Sequence, residues 1–433
     1  MKYIKNLNNL DLEFKSFDKQ NTVMDIASRQ KANNKDIFNI VKDIENNILK
    51  YWDKYSKELT EKFDWVKIYK FLVEKEDIIS AEALIDTKLK KAINIAFKNI
   101  YDFHMRQKPV DLDKKETSAW VFCYKQFRNI EKVGLYIPGG TAPLFSTVLM
   151  LWIPAIIAWC KDIYLCTPPN ISPEILYVAN LIWIKYIYKI GWAQAIFSMA
   201  YGTEEIPKVD KIFWPWNSFV TTAKEIVSSR VAIDMPAWPS EVLVIADKNS
   251  NIKFVASDLL SQAEHGADSQ VVLVSNSKEI ISSVLVEVQY QLKSLSRKDI
   301  IEKSLENSFS ILVKDTNEAI EFSNIYAPEH LILQVKDYNS YIEKITNAWS
   351  VFLWKYSCES AGDYASWTNH TLPTSFYSKS YSWVSVESFW KWITFQELTK
   401  MWIDSIWEAV EVMAEAEWLQ AHKKAMSLRI KSL

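Results

Sequence analysis

The chain has 433 residues, 49% hydrophobic and 24% charged, with a formal net charge of −2. That length suits two domains with cores of their own, and the balanced charge offers no basic field for nucleic acid or an anionic membrane.

Residues 1 to about 30 are polar and read as a short helical arm. Residues 30–107 are strongly helical by pattern, as in IFNIVKDIENNILKYWDKYSKEL, where apolar positions recur at three and four. From about 130 short β-rich runs alternate with helical ones. VGLYI (133–137), IYLCT (163–167), YIYKI (186–190), KIF (211–213), EVLVIA (241–246), SQVVLVS (269–275) and FSILV (309–313) read as strands. Alternation of this kind favours βαβ units and mostly parallel sheets, and a split near 235–240 divides the strands into two groups. The expected fold is α/β: two doubly wound (Rossmann-like) domains, plus small N-terminal and C-terminal helical arms. The last 40 residues, from TFQELTKMW onward, read as helix.

The uncharged run Val133–Cys160 is long enough to span a bilayer. Pro138, Gly139, Gly140, Pro143 and Pro154 break it, so it reads as strand, turn and buried helix, and no membrane association is expected. The start, MKYIKNLNNLDLEF, has no apolar core followed by small residues, so no signal peptide is expected. Cys123, Cys160, Cys166 and Cys358 form no CxxC pair and fit free thiols in a reducing, cytoplasmic setting. No GxGxxG or GxxxxGKS motif is present, and the lone GG of IPGGTAP reads as a structural turn.

Four of the five histidines sit in polar clusters. In ASDLLSQAEHGADSQ, Ser257 can cap a helix and Gly266 can end it, which sets Gln262 and His265 three apart on one face. In YAPEHL, Pro328 precedes the adjacent Glu329 and His330, a carboxylate and an imidazole suited to proton transfer, at a loop or helix start. ESAGDYASWTNHTLPT holds Asp363, Asn369 and His370 around turn residues. AEAEWLQAHKKA places Glu417 and His422 on the terminal helix. Each cluster alone also fits an ordinary surface histidine, and spacing does not show that they meet.

The blocks VGLYIPGGTAPLFSTVLML, QAIFSMAYGTEEIPKVDKIF, VAIDMPAWPSEVLVIAD, DLLSQAEHGADSQVVLV, YAPEHL, ESAGDYASWTNHTLPT and LQAHK resemble histidinol dehydrogenase over nearly the whole chain. The resemblance implies an NAD-dependent enzyme that oxidises L-histidinol to L-histidine through the aldehyde, the last reactions of histidine biosynthesis. It implies zinc held by Gln262, His265, Asp363 and His422, with the substrate's imidazole and amine completing the shell. His330 would be the general base of the first step, and Glu329 would activate water for the second. Ser240, His370 and Glu417 match substrate contacts, as do Gln262, His265, His330, Asp363 and His422. Tyr136, Gln194 and Asn217 match NAD contacts, in a family that lacks the glycine fingerprint. A homodimer is implied, with an exchanged C-terminal arm that brings His422 and Glu417 to the other subunit. The implied division is 1–29 as an arm, 30–132 with 240–384 as the first α/β domain, 133–239 as the second, and 385–433 as the C-terminal arm. A zinc-dependent relative acting on another alcohol or amino alcohol is the alternative, as is an inactive binding module.

Composition bears on that last alternative. The chain has 7 glycines and 19 tryptophans, where ordinary usage predicts roughly 30 glycines. The family pattern has glycine at Trp152, Trp159, Trp192, Trp214, Trp216, Trp238, Trp354, Trp367 and Trp418. One codon, UGA being the natural candidate, read by the organism as glycine and translated here as tryptophan, accounts for both counts. If the tryptophans are real, the site is blocked and the module reading stands.

Overall fold

The computed structural model describes residues 2–5, 7, 15–16, 34–118, 121–139, 143–213, 218–235, 240–366, 368–371, 374, 377–398 and 403–431. In chain order the strands among them are β1 (Lys2–Lys5), β2 (Lys15–Ser16), β3 (Leu112–Ser118), β4 (Val121–Asn129), β5 (Lys132–Tyr136), β6 (Asp162–Thr167), β7 (Tyr186–Lys189) and β8 (Lys211–Phe213). Then come β9 (Ala232–Ile233), β10 (Glu241–Ala246), β11 (Gln270–Ser275), β12 (Phe309–Leu312), β13 (His330–Gln334), β14 (Ser350–Leu353) and β15 (Trp390–Leu398).

Two parallel sheets organise the chain. One has the order β7-β6-β5-β8-β9, and the other runs β14-β13-β10-β11-β12 before two short antiparallel strands, β1 and β2, extend its edge. Strands β10 and β11 are buried along their whole length, which is why VLVIA and VVLV within them are apolar without alternation: helices cover both faces. Each buried Val, Leu or Ile there contributes roughly 1.5–3 kcal/mol. The covering helices start on side-chain caps that satisfy free backbone N–H groups: Asn251 for Ile252–Ala263, Ser277 for Lys278–Leu292 and Asp315 for Thr316–Tyr326.

The α/β class stands, with local differences. Lys2–Lys5 and Lys15–Ser16 are strands, not part of a helical arm; β1 takes the open edge of β12 with Lys2 opposite Leu312. Residues 390–398 are strand as well: β15 pairs with β4 along its full length, Trp390 opposite Asn129 and Leu398 opposite Val121, so the C-terminal helices begin at Ile403. Ser257 lies inside its helix, and Glu329–His330 open a strand. The helix Asn34–Asp64 packs its Val41, Ile44 and Ile48 among Tyr136, Ile196 and Val220. This face of the helix therefore lies against the five-stranded sheet.

Of the paired glycines, Gly139 needs its missing side chain: an added Cβ would lie 2.8 Å from the Pro168 ring, and one at Gly191 2.6 Å from it. The loops after β5, β6 and β7 therefore meet at van der Waals limits. No helix among the described residues is long and apolar enough to cross a membrane.

Candidate active site

The carboxyl edge of the five-stranded sheet faces the amino edge of the larger one, and a cleft lies between them. Leu144, Ser146 and Thr147 line it from the first sheet's side; Ser240, His265, Glu329, His330, Asp363, Tyr364 and His370 line it from the other. Thr147 Oγ1 and His370 Nε2, 3.0 Å apart, bridge the two sides.

Topology explains the gathering. His330 is the first residue of β13 and pairs with Val242, the second of β10, so both strands enter the sheet beside the cleft. The helix Ile252–Ala263 follows β10 and runs back toward the same edge. Its last turn brings Gln262, and the residues just past its end bring His265, whose N–H donates to the Gln262 carbonyl. The short helix Glu359–Tyr364 follows β14 and offers Glu359 and Asp363, one turn apart on one face.

His265, Glu359 and Asp363 each offer a ligand atom within 4.8 Å of the others. His265 Nε2 is 3.7 Å from Asp363 Oδ2, and His330 Nε2 is 4.0 Å from Asp363 Oδ1. The Gln262 amide nitrogen donates to Glu359 Oε2 at 3.1 Å, and its oxygen accepts from the Glu241 N–H at 3.3 Å. Glu329 Oε2 accepts from that same N–H at 2.8 Å. His330 Nδ1 lies 3.3 Å from the Glu241 carbonyl; a proton on Nδ1 leaves the Nε2 lone pair directed at the cleft.

Burial sets the electrostatics. It holds His330 far below an ordinary imidazole, at about 3, and His370 at about 4, so both rings are neutral at neutral pH. It pushes Asp363 up to about 7. Burial, then the nearby Asp363 and Glu329, raise Glu359, and burial also raises Glu329. Crowded buried carboxylates beside a histidine are an arrangement that a bound cation relieves.

Gln262, His265 and Asp363 thus meet, with Ser240, Glu329, His330 and His370 around the same cleft. Glu417 and His422 do not join them: both are exposed on the C-terminal helices Ile403–Ala416 and Gln420–Lys431 or the turn between them. Those helices pack on each other and, through Ile406, Met426 and Ile430, on Val121 of β4. Tyr136 ends β5, and Gln194 lies in the first turn of the helix Trp192–Tyr201, after β7. Both are buried at the carboxyl edge, near the crossover between β5 and β8 where doubly wound sheets take ligands. Asn217 lies outside the described residues. Glu359 and Thr147 were missed; the i, i+4 spacing of Glu359 and Asp363 was the available signal.

The sequence pattern of the histidinol dehydrogenase family matches residues 27–430. The chain is 51% identical over 414 residues to histidinol dehydrogenase of Bacteroides thetaiotaomicron, covering 94% of this chain and 96% of that one. It is 50% identical over 402 residues to that of Haemophilus influenzae, covering 93% and 94%. The crystal structure of histidinol dehydrogenase from Elizabethkingia anophelis is similar with a TM-score of 0.87 at 50% identity, covering 98% of this chain and 95% of that one.

Proposed function

The chain belongs to the histidinol dehydrogenase family, NAD-dependent oxidoreductases of histidine biosynthesis, and we propose that its cleft oxidises L-histidinol to L-histidine through the aldehyde. The observation that carries this reading is the convergence of His265, Asp363, Glu329, His330 and His370 on one cavity from separate elements.

The residues fit the two groups the family implies. Both polar atoms of the fully buried Gln194 amide are without a partner among the described residues, as suits a contact awaiting a ligand. With Tyr136 and Asn217 it would hold NAD, which supplies the hydride acceptor for both oxidations. The nitrogen and oxygen donors of Gln262, His265 and Asp363, beside the raised carboxyl of Glu359, suit zinc with open positions. The zinc would hold and orient the substrate's imidazole and amine.

His330 takes the hydroxyl proton on Nε2 in the first oxidation, its other nitrogen anchored on the Glu241 carbonyl. Glu329 takes a proton from the water that adds to the aldehyde carbon, its carboxylate held by the Glu241 N–H. The hydrate so formed is the substrate of the second oxidation. Ser240 and His370 line the cavity and orient the bound molecule.

His422 and Glu417 serve a second copy's site. The C-terminal helices that carry them expose Val412, Met413, Leu419 and Leu428, apolar residues suited to cover by another subunit. The free thiols fit the cytoplasm. The test is histidinol-dependent NADH formation, lost on chelation and restored by zinc; turnover indifferent to metal would refute the assigned ligand set.

A further inference from the structure

Eight non-glycine residues among those described have positive φ: Trp52, Trp65, Trp159, Trp183, Trp192, Ala327, Trp354 and Trp418. Seven of the eight are tryptophan, a type that makes up 19 of the 433 residues. Left-handed backbone brings Cβ against the following carbonyl, so glycine dominates there and asparagine or aspartate are the usual substitutes. Neither occurs at these positions; the bulkiest side chain does.

Three of the seven share one local design. At Trp159 the N–H donates to the Ile156 carbonyl at 3.0 Å, while the next residue's N–H reaches Ala155 at 3.1 Å. At Trp183 the partners are Asn180 and, from Ile184, Ala179; at Trp418 they are Glu415 and, from Leu419, Ala414. Each pair is the Schellman closure of a helix, and each tryptophan holds the position that glycine normally fills. Gly202, at the end of Trp192–Tyr201, is the one glycine among the described residues with positive φ, at 75°. At three of the seven, packing gives the indole no compensating role: Trp65, Trp183 and Trp418 are 89%, 82% and 89% exposed. At Trp52, φ 49° with ψ −129° breaks the helix Asn34–Asp64 in a mirror-image extended region open in practice to glycine alone.

A second, independent observation points the same way. The indole N–H groups of Trp152, Trp349 and Trp390 are buried without a hydrogen-bond partner among the described residues, whereas buried indoles normally find one.

We infer that positions 52, 65, 159, 183, 192, 354 and 418 are glycine in the protein the cell makes, through a codon that its ribosomes read as glycine. Reassigning the 19 tryptophans would raise glycine from 7 to 26 residues of 433, close to the ordinary share of roughly 7%. The consequence is practical: with UGA as that codon, a host using the standard code stops at it, and a code that reads it as tryptophan sets indoles at helix ends and turns.

Peptide mass spectrometry of the protein from its own cells tests this directly. Glycine is expected in the peptides spanning 159, 183 and 418; tryptophan there overturns the inference. A second test compares the chain as printed with its Trp159→Gly, Trp183→Gly, Trp418→Gly variant, both made in a standard-code host. The variant is expected to melt at the higher temperature, and an equal or lower melting temperature overturns the backbone argument.

Discussion

Glu359 Oε1 stands 3.7 Å from His330 Nδ1, although the two residues come from different elements, and the same carboxylate accepts from the amide nitrogen of Gln262. One buried carboxylate therefore links the proposed base to a proposed metal ligand. Replacing Glu359 by Gln keeps the volume and removes the charge. Zinc affinity is expected to fall about 10–100-fold, the usual effect of losing a supporting partner at a metal site. A chelator-competition titration measures it; unchanged affinity would leave Glu359 a packing residue.

Glu329 and His330 are sequence neighbours with separable work. The Glu329→Gln variant still accepts the Glu241 N–H through its amide oxygen, so the fold around β10 is retained. Only the aldehyde-to-acid step requires an activated water. Glu329→Gln is expected to slow NADH formation from the aldehyde by about 100-fold or more, and to exceed His330→Asn in that selectivity. The comparison is each variant's loss with the alcohol against its loss with the aldehyde. Equal losses for Glu329→Gln in both half-reactions would remove its assigned part.

The exposed His422 gives the exchanged-arm reading a direct check. His422→Ala and His265→Ala are each expected to weaken zinc binding and to be nearly inactive alone. Mixed subunits would pair one intact arm with one intact cleft and recover part of the wild-type rate. No recovery after subunit mixing, verified by mass spectrometry of the mixed dimer, would show that each chain completes its own site.

The parallel strands were legible because burial on both faces writes itself as apolar runs: VLVIA and VVLV in the larger sheet and VGLY in the smaller are all strand. The antiparallel sheet was not. LDKKETS and WKWITFQEL are largely exposed, so nothing in their pattern demands a core face, and the pairing of β15 with β4 is a long-range choice. The site was legible by family resemblance. Spacing alone joins Gln262 with His265, Glu329 with His330, and Glu359 with Asp363. That Asp363 approaches the first two pairs depends on the turn after β14, which carries no periodic signal.

Strain at the helix ends has a measurable size. Holding a bulky residue in the left-handed region costs roughly 1–2 kcal/mol. Trp183→Gly, at an 82% exposed position, is expected to stabilise the printed chain by about 1 kcal/mol in denaturant unfolding. Ala327→Gly, at φ 52°, should gain a similar amount for the same reason. A gain at Ala327 without one at Trp183 would mean that the indole makes a compensating contact.

His104 offers a pH test away from the proposed metal. It is fully buried, its Nδ1 lies 2.7 Å from the Ile100 carbonyl, and its Nε2 lies 3.4 Å from the Asn369 amide nitrogen. Burial lowers its pKa from 6.5 to about 4, against a smaller opposing pull from the Ile100 carbonyl. The unfolded chain therefore binds more protons than the folded one between those values. Stability from the neutral ring is fully present above pH 6.5 and is lost as pH falls toward 4. The loss is on the order of 3 kcal/mol if the whole shift is expressed. His104→Gln keeps a polar group of similar reach but cannot titrate. Its stability, lower than wild type at neutral pH, is expected to approach the wild-type value on acidification, as followed by urea unfolding at intervals across this range. Curves that stay parallel would mean that His104 keeps the same proton affinity folded and unfolded, which its buried position among Phe103 and Trp383 argues against.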